Sequence, residues 1–305
     1  MNLIYLTTHV YEEDFAALSA KQSRMPNPAG QNFHGKLIRA LAKQNDVHVY
    51  SALPLLLSSL GAKGFTTKDN VHYSYLMGPS NRYVRGLLFP RSIIKAIAKE
   101  NKGRQCVLLY DSLNRALATA AIALGKKLSC PTVAILTDDA ANISGVDASF
   151  CAKIQSLVSK SSASIALTNG LVQTYGLEHR PHYVRSFVTE SLEIEAKTNA
   201  RPYLYFGGAL FIKDGTQDLL DCYPLICELY DLILSGHGPM EQTVLDTSKR
   251  IPGIIYLGQI PKEEHYAYIK GSALAINPRH YKKELDENAV PYKVMEYLRY
   301  APYIA

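Results

Sequence analysis

The sequence predicts a two-domain α/β protein in which each domain is a parallel sheet wound with helices. Short apolar strand-like runs alternate with helical patterns along the whole 305-residue chain, the pattern of parallel sheets with crossover helices. That length suits two domains of ~100–200 residues, each with its own core. One polar stretch, Thr189 to Arg201, interrupts the alternation. The expected division is a first domain at 1–188, a linker at 189–201 and a second domain at 202–305, the two domains facing a cleft lined by the carboxyl ends of their strands, where such sheets bind ligands.

In the first series LIYLTT (3–8) reads as a strand, KLIRALAKQN (36–45) as a helix and DVHVYSAL (46–53) as a strand. A basic helix follows, then the strand CVLLYD (106–111), a helix over 116–127, the buried strand PTVAILTDD (131–139), a helix around 152–159 and the strand SIALTN (164–169). The second series is YLYFGG (203–208), helix 215–229, DLILSG (231–236), helix 239–248, GIIYLG (253–258), helix 262–270, ALAINP (273–278) and a helix from Pro291. A last strand begins at Tyr303, and the expectation is that the second domain is truncated there.

Hydrophobic residues make up 47% and charged residues 20% of the chain, which excludes disordered and fibrous classes. No run reaches the ~18 apolar residues of a membrane span, and the start lacks a basic leader. The five cysteines show no CxxC, so neither a disulfide framework nor a zinc site is indicated, and a cytoplasmic, reduced protein is expected. The net charge of +6 concentrates between Arg82 and Arg104, where Arg85, Arg91, Lys95, Lys99 and Lys102 interleave with Leu87, Leu88, Phe89, Ile93 and Ile97. Such a segment suits an anionic membrane surface and equally an ordinary surface helix with an inward apolar stripe. No nucleic-acid-binding motif accompanies the charge, so no nucleic-acid partner is expected.

The residues richest in chemistry lie in ENAVPYKVMEYL (287–298). Pro291 suits the first turn of a helix, Lys293 stands beside that helix start, and a helix amino terminus with a lysine is a ready phosphate site. Glu296 lies one turn further on the same face, placed to accept hydrogen bonds from ribose hydroxyls, although a solvated Lys293–Glu296 pair would look the same in sequence. PYKVMEY (291–297) resembles the Pro-x-Lys-x-x-Glu-Tyr variant of the Glu-x7-Glu motif in the retaining glycosyltransferases of family 4. The resemblance implies a GT-B fold. It places the second motif glutamate on Glu296 and the first on Asn288, which keeps a hydrogen-bonding side chain without an anion, with Glu287 and Glu284 close enough to substitute.

YLYFGGALFIKDG (203–215) resembles the same family's glycine turn followed six residues later by lysine, and the matching positions are Gly207 and Lys213. Gly207 and Gly208 let backbone approach a diphosphate, and Lys213 can neutralise a leaving group. LSGHGP and YLGQIP stand where the family holds the nucleotide base, which nominates Gly236, His237 and Gly258. In the first half, Gly30 of NPAGQNFHGKLIRAL matches the family's glycine loop that meets donor phosphate. Asp138 and Asp139 end a strand where relatives carry a His-Asp pair near the sugars, with Thr137 in place of the histidine, and such carboxylates also serve as loop caps.

The resemblance implies transfer of a sugar from a nucleoside diphosphate sugar to a saccharide or lipid-linked saccharide, with retention. No cofactor beyond the donor and no metal is expected, since an Asp-x-Asp of the metal-dependent kind is absent. Asn288, Asp138 and Glu287 are the candidate catalytic positions. The rivals are a nucleotide-sugar epimerase on the same fold and a non-catalytic nucleotide-sugar-binding subunit. A peripheral location at the inner face of the plasma membrane follows if the basic segment meets lipid.

Overall fold

A computed structural model describes residues 1–19, 28–52, 65–66, 70–76, 82–143, 145–186, 192–280 and 287–305. The chain divides into two units, Met1–Glu190 with Glu284–Ala289, and Ser191–Lys283 with Val290–Ala305.

The first unit runs β1 (Asn2–Thr7), α1 (Glu12–Ser19), α2 (Pro28–Ala42), β2 (Asp46–Ala52), β3 (Phe65–Thr66), β4 (Val71–Leu76), α3 (Arg82–Glu100), β5 (Cys106–Asp111), α4 (Arg115–Leu128), β6 (Thr132–Leu136), α5 (Ala148–Val158), β7 (Ala163–Ala166), α6 (Asn169–Thr174) and β8 (His182–Val184). Its sheet order is β3-β4-β2-β1-β5-β6-β7-β8, parallel except where β3 meets β4. Strand order reverses at β1 and β5, so the switch point where doubly wound sheets take ligands lies at their carboxyl ends.

Local chemistry sets the helix ends. The Asn114 side chain accepts from the amides of Ala116 and Leu117 at 3.1 and 3.2 Å, capping α4. Ser129 at φ 54° closes that helix in the left-handed conformation. Leu117, Ala118, Ala120, Ala121, Ile122 and Leu124 are all buried, which makes α4 the central helix of this unit. Helix α3 packs on α4 and buries Phe89, Ile93 and Ile97, while Arg91, Lys95 and Lys99 are exposed. Its apolar stripe therefore faces the core and its cations form a surface ridge.

The second unit runs β9 (Tyr203–Gly207), α7 (Thr216–Cys222), β10 (Asp231–Ser235), α8 (Glu241–Arg250), β11 (Ile254–Tyr256), α9 (Lys262–Gly271), β12 (Leu274–Ala275) and α10 (Tyr292–Tyr300). All neighbours in the order β11-β10-β9-β12 are parallel. The strand period of two divides the side chains of β9 between two cores. Leu204 and Phe206 join Leu232, Leu234, Leu220 and Val244 on one face, while Tyr203 and Tyr205 join Ile233, Tyr266, Ile269 and Tyr297 on the other. Helices α7 and α8 thus cover one side of the sheet and α9 and α10 the other.

Several elements differ from their predicted extents. The helix expected over 215–229 ends at Cys222, and a single 3-10 turn follows at Tyr223–Leu225, because Pro224 has no amide to continue the ladder. The strand expected over 131–139 stops at Leu136. In 192–201 there is no helix or strand, yet the segment is fastened to the second unit: the Lys197 amide donates to Ala267 O at 2.9 Å and Asn199 donates to Asp231 at 2.8 Å. Residues 303–305 run alongside β12, with an isolated parallel bridge between Ala275 and Ile304. Among the described residues no helix is long and apolar enough to cross a membrane, and all five cysteines are free.

Candidate functional site on the second unit

Strands β11, β10 and β9 are adjacent, so the loops at their carboxyl ends form one surface. Gly258, Gly236, Gly207 and Gly208, separated in sequence, come together there. The Gly208 amide donates to Ser235 O at 3.0 Å and the Gly236 amide to Gly258 O at 2.8 Å. Gly208 at φ 146° and Gly236 at φ 126° occupy backbone space that L side chains rarely adopt. A Cβ on Gly236 would fall 1.8 Å from Gly208 O. These two glycines let the neighbouring loops touch backbone to backbone.

Helix α10 supplies the side chains. Tyr297 is buried and holds the glycine turn at both polar groups: its hydroxyl accepts from the Gly207 amide at 3.0 Å and donates to Gly207 O at 3.3 Å. One turn earlier, Lys293 crosses Phe206 with its Nζ 4.5 Å from the ring centroid, and an added Cβ on Gly208 would lie 3.6 Å from that Nζ. The Nζ is buried without a hydrogen-bond partner. Burial holds the Lys293 pKa below its usual 10.5, the charge of Asp214 works against that shift, and Arg279 adds to it.

Glu296 is 8% exposed and is held from α9. Tyr266 donates to its Oε1 at 2.9 Å, and His265 Nε2 faces its Oε2 at 3.4 Å. His265 Nδ1 lies 2.7 Å from the Tyr205 hydroxyl, which lies 2.6 Å from Ser235 Oγ. Burial pushes the Tyr205 phenol well up, so it stays protonated and able to donate to Nδ1. Sequence reasoning named Glu296 but not His265, Tyr205 or Ser235, which fix it. The signal was faint: a histidine inside a polar helix start has no pattern of its own.

Lys213, His237 and Gly258 have surroundings of their own. Lys213 is exposed and lies over the ring of Phe211 with its Nζ 5.4 Å from the centroid, whereas Lys293 lies over Phe206. His237 is 69% exposed and pairs with Glu241, the first residue of α8, a helix-start contact. Gly258 at φ 68° has open space where a side chain would go.

The first-unit candidates are also separate in their contacts. Gly30 is inside α2, whose first residue is Pro28. A proline loses nothing at that position, so the helix starts earlier than a glycine loop before it would require. Glu287 is exposed, and Asn288 accepts from Thr174 at 3.3 Å. Gly170 of α6 makes room for both, since a Cβ there would fall 2.2 Å from Glu287 O. Asp138 accepts from Asn142 and from the Asp139 amide, each at 2.7 Å, and Asp139 caps the 3-10 turn at Ala140–Asn142. Glu284 lies outside the described residues.

No known family model matches the chain, and no curated protein matches it. Solved structures do. Anabaena Alr3699/HepE in complex with UDP and glucose aligns at TM-score 0.61 and 13% identity, over 100% of this chain and 80% of that one. The α,α-trehalose-phosphate synthase (UDP-forming) from Burkholderia vietnamiensis aligns at 0.62 and 11%, over 98% and 81%. The pneumococcal O-GlcNAc transferase GtfA in complex with UDP and GlcNAc aligns at 0.54 and 9%, over 99% and 83%. The fold is GT-B. At these identities the likeness is one of architecture.

A buried polar cluster at the switch point of the first unit escaped sequence reasoning altogether. Tyr5 and His34 Nδ1 are 2.6 Å apart, His34 Nε2 lies 3.7 Å from Asp111, and Tyr73 and His9 Nδ1 are 2.8 Å apart. Gly35 is required there, because a Cβ would meet His9 Nε2 at 2.6 Å. Burial lowers the His9 pKa to about 3, so the ring is neutral at ordinary pH. His9 and His34 read in sequence as isolated residues, and only the sheet order brings them together.

Proposed function

We propose that this protein is a glycosyltransferase that binds a nucleoside diphosphate sugar on the second unit and passes the sugar to a saccharide or lipid-linked saccharide, retaining the anomeric configuration and using no metal in the transfer. The observation that carries this reading is Lys293, a buried ammonium without a hydrogen-bond partner beside the backbone of Gly208. Burying an ammonium without a hydrogen-bond partner is costly, the charge of Asp214 does not restore its pKa, and a diphosphate at the glycine turn would supply the missing acceptors. The titles of the similar structures name UDP or a UDP-forming reaction, which makes UDP the first nucleotide to test.

In this reading Lys293, the amino terminus of α10 and Lys213 stabilise charge on the departing diphosphate. Glu296 receives the ribose, and Gly236, His237 and Gly258 border the base. Gly30 meets the donor from the first unit, and Asp138, Glu287 and Asn288 serve the sugars, Asn288 by hydrogen bonding in place of charge. The engagement of Asn288 with Thr174 favours one second reading, a subunit that binds donor without turnover. The ridge of Arg91, Lys95 and Lys99 faces anionic lipid bearing the acceptor, by charge alone, since Phe89, Ile93 and Ile97 are in the core. Reversing all three charges abolishes sedimentation with anionic vesicles if that contact exists.

The test is thermal-shift screening of the full chain against UDP, GDP, ADP and their sugars, followed by product analysis with and without acceptor. One nucleotide series raising Tm supports the reading, and no response to any of them refutes it. Donor binding without product favours the binding subunit, and a changed sugar nucleotide without acceptor favours epimerisation.

A further inference from the structure

Asp46, His48 and His72 gather at the amino ends of two strands of the first sheet. Asp46 opens β2 and His48 follows two residues later, so the strand period puts both side chains on one face. His48 is in register with His72 on the adjacent parallel strand β4, which projects from that face too. Their rings stack 28° from parallel with centroids 4.8 Å apart. Both imidazoles turn the same nitrogen to one carboxylate: His48 Nε2 is 3.4 Å from Asp46 Oδ2, and His72 Nε2 is 3.5 Å from Asp46 Oδ1.

We infer that this cluster binds a divalent transition ion of the zinc type through two imidazoles and one carboxylate, with at least one position left to solvent. Bonds of ~2.0–2.1 Å place two ligand atoms of a tetrahedral site about 3.3 Å apart. The two nitrogen–oxygen separations match that spacing, and one ligand atom from each of the three residues lies within 4.8 Å of the others, so small side-chain rotations complete the site. The donor set selects the ion. Magnesium and calcium take oxygen ligands, and copper(I) favours thiolate or thioether, whereas imidazole with carboxylate suits zinc, cobalt and nickel.

Access requires no opening, because the side chains are 25%, 40% and 52% exposed for His48, His72 and Asp46. The role is structural rather than catalytic: doubly wound sheets bind substrates at the carboxyl ends of their strands, and these residues stand at the other end. An ion here ties β4 to β2 independently of the backbone ladder. Among the described residues, the sheet beyond β4 has only the two-residue strand β3.

The experiment is calorimetric titration and thermal melting of the chelator-treated full chain with zinc chloride, with cobalt(II) absorption as a second probe. The expected result is one ion per chain, a raised Tm, and a tetrahedral cobalt spectrum. Affinity should fall tenfold or more in Asp46→Ala and disappear in a His48→Gln/His72→Gln double variant, while His182→Gln, elsewhere on the surface, keeps the full response. No heat and no Tm change in the wild type at excess zinc would overturn the inference. An undiminished response in the double variant would do the same, as would a thiolate-type cobalt spectrum if that variant fails to fold.

Discussion

The Lys293 ammonium lies 4.5 Å from the centre of the Phe206 ring, beside the backbone of Gly208. A cation over a ring gains ~0.5–2 kcal/mol, yet burial still holds the Lys293 pKa below its usual value against the charge of Asp214. The free protein therefore holds a destabilising group where a ligand would need it.

Lys293→Met should separate stability from binding. With no nucleotide the variant melts higher than wild type near pH 7. The sign follows from the lowered pKa: the unfolded lysine takes up a proton more readily than the folded one, so the penalty is present below pH 10.5 and shrinks as pH rises toward it. Nucleotide affinity falls by about 30-fold or more, the equivalent of ~2 kcal/mol for leaving a buried charge unpaired. Denaturant titration and calorimetry with UDP measure both, and a variant that melts lower yet binds normally contradicts the site.

Two strand-end glycines should respond unequally to alanine. Gly236→Ala drives a methyl into Gly208 O and should unfold or severely destabilise the second unit. Gly258→Ala meets open space and costs only the left-handed conformation, about 1 kcal/mol. Comparable melting temperatures for the two variants would count against the loop packing.

Removing the Glu296 carboxylate leaves the buried Tyr266 hydroxyl short of its acceptor. Glu296→Ala should cost ~1–3 kcal/mol in stability, whereas Glu296→Gln keeps an oxygen for Tyr266 and should cost less than half as much. If ribose binds here, both variants weaken nucleoside binding. Equal stability losses would show that the Tyr266 bond is unimportant.

His9 should make the first unit acid-sensitive. Its ring titrates at about 3 when folded and at ~6.5 when unfolded, so the unfolded chain binds the proton first. Stability is then fully present above pH 6.5 and falls by up to about 1.4 kcal/mol per pH unit as pH drops toward 3. His9→Gln should flatten that slope in urea titrations between pH 6.5 and 4, and an unchanged slope would remove His9 as its source.

Most of the sheet framework was legible because strands such as CVLLYD and YLYFG are buried on both faces and read as unbroken apolar runs. The strand Val71–Leu76 was missed, although Val71 and Tyr73 are buried with His72 and Ser74 between them, because its aromatic and histidine content masked the alternation. Very short strands such as β3 and β8 leave no periodicity to find. In the site, local motif chemistry pointed to Lys293, Glu296 and the strand-end glycines, since backbone freedom and helix starts are local properties. The support from His265, Tyr205 and Ser235 depends on sheet order, which single-sequence patterns do not encode. The placement of Glu287 and Asn288 in the first unit likewise involves residues distant in sequence, Thr174 and Gly170.

That placement means the polypeptide is in the first unit up to residue 186, in the second over 192–280, back in the first at 287–289 and in the second again from Val290. A gene fragment ending at 190 would encode a first half stripped of Glu287 and Asn288, its surface at Gly170 laid bare. Halves expressed as 1–190 and 191–305 should therefore recover solubility and function only when co-produced, with the second fragment donating those residues in trans.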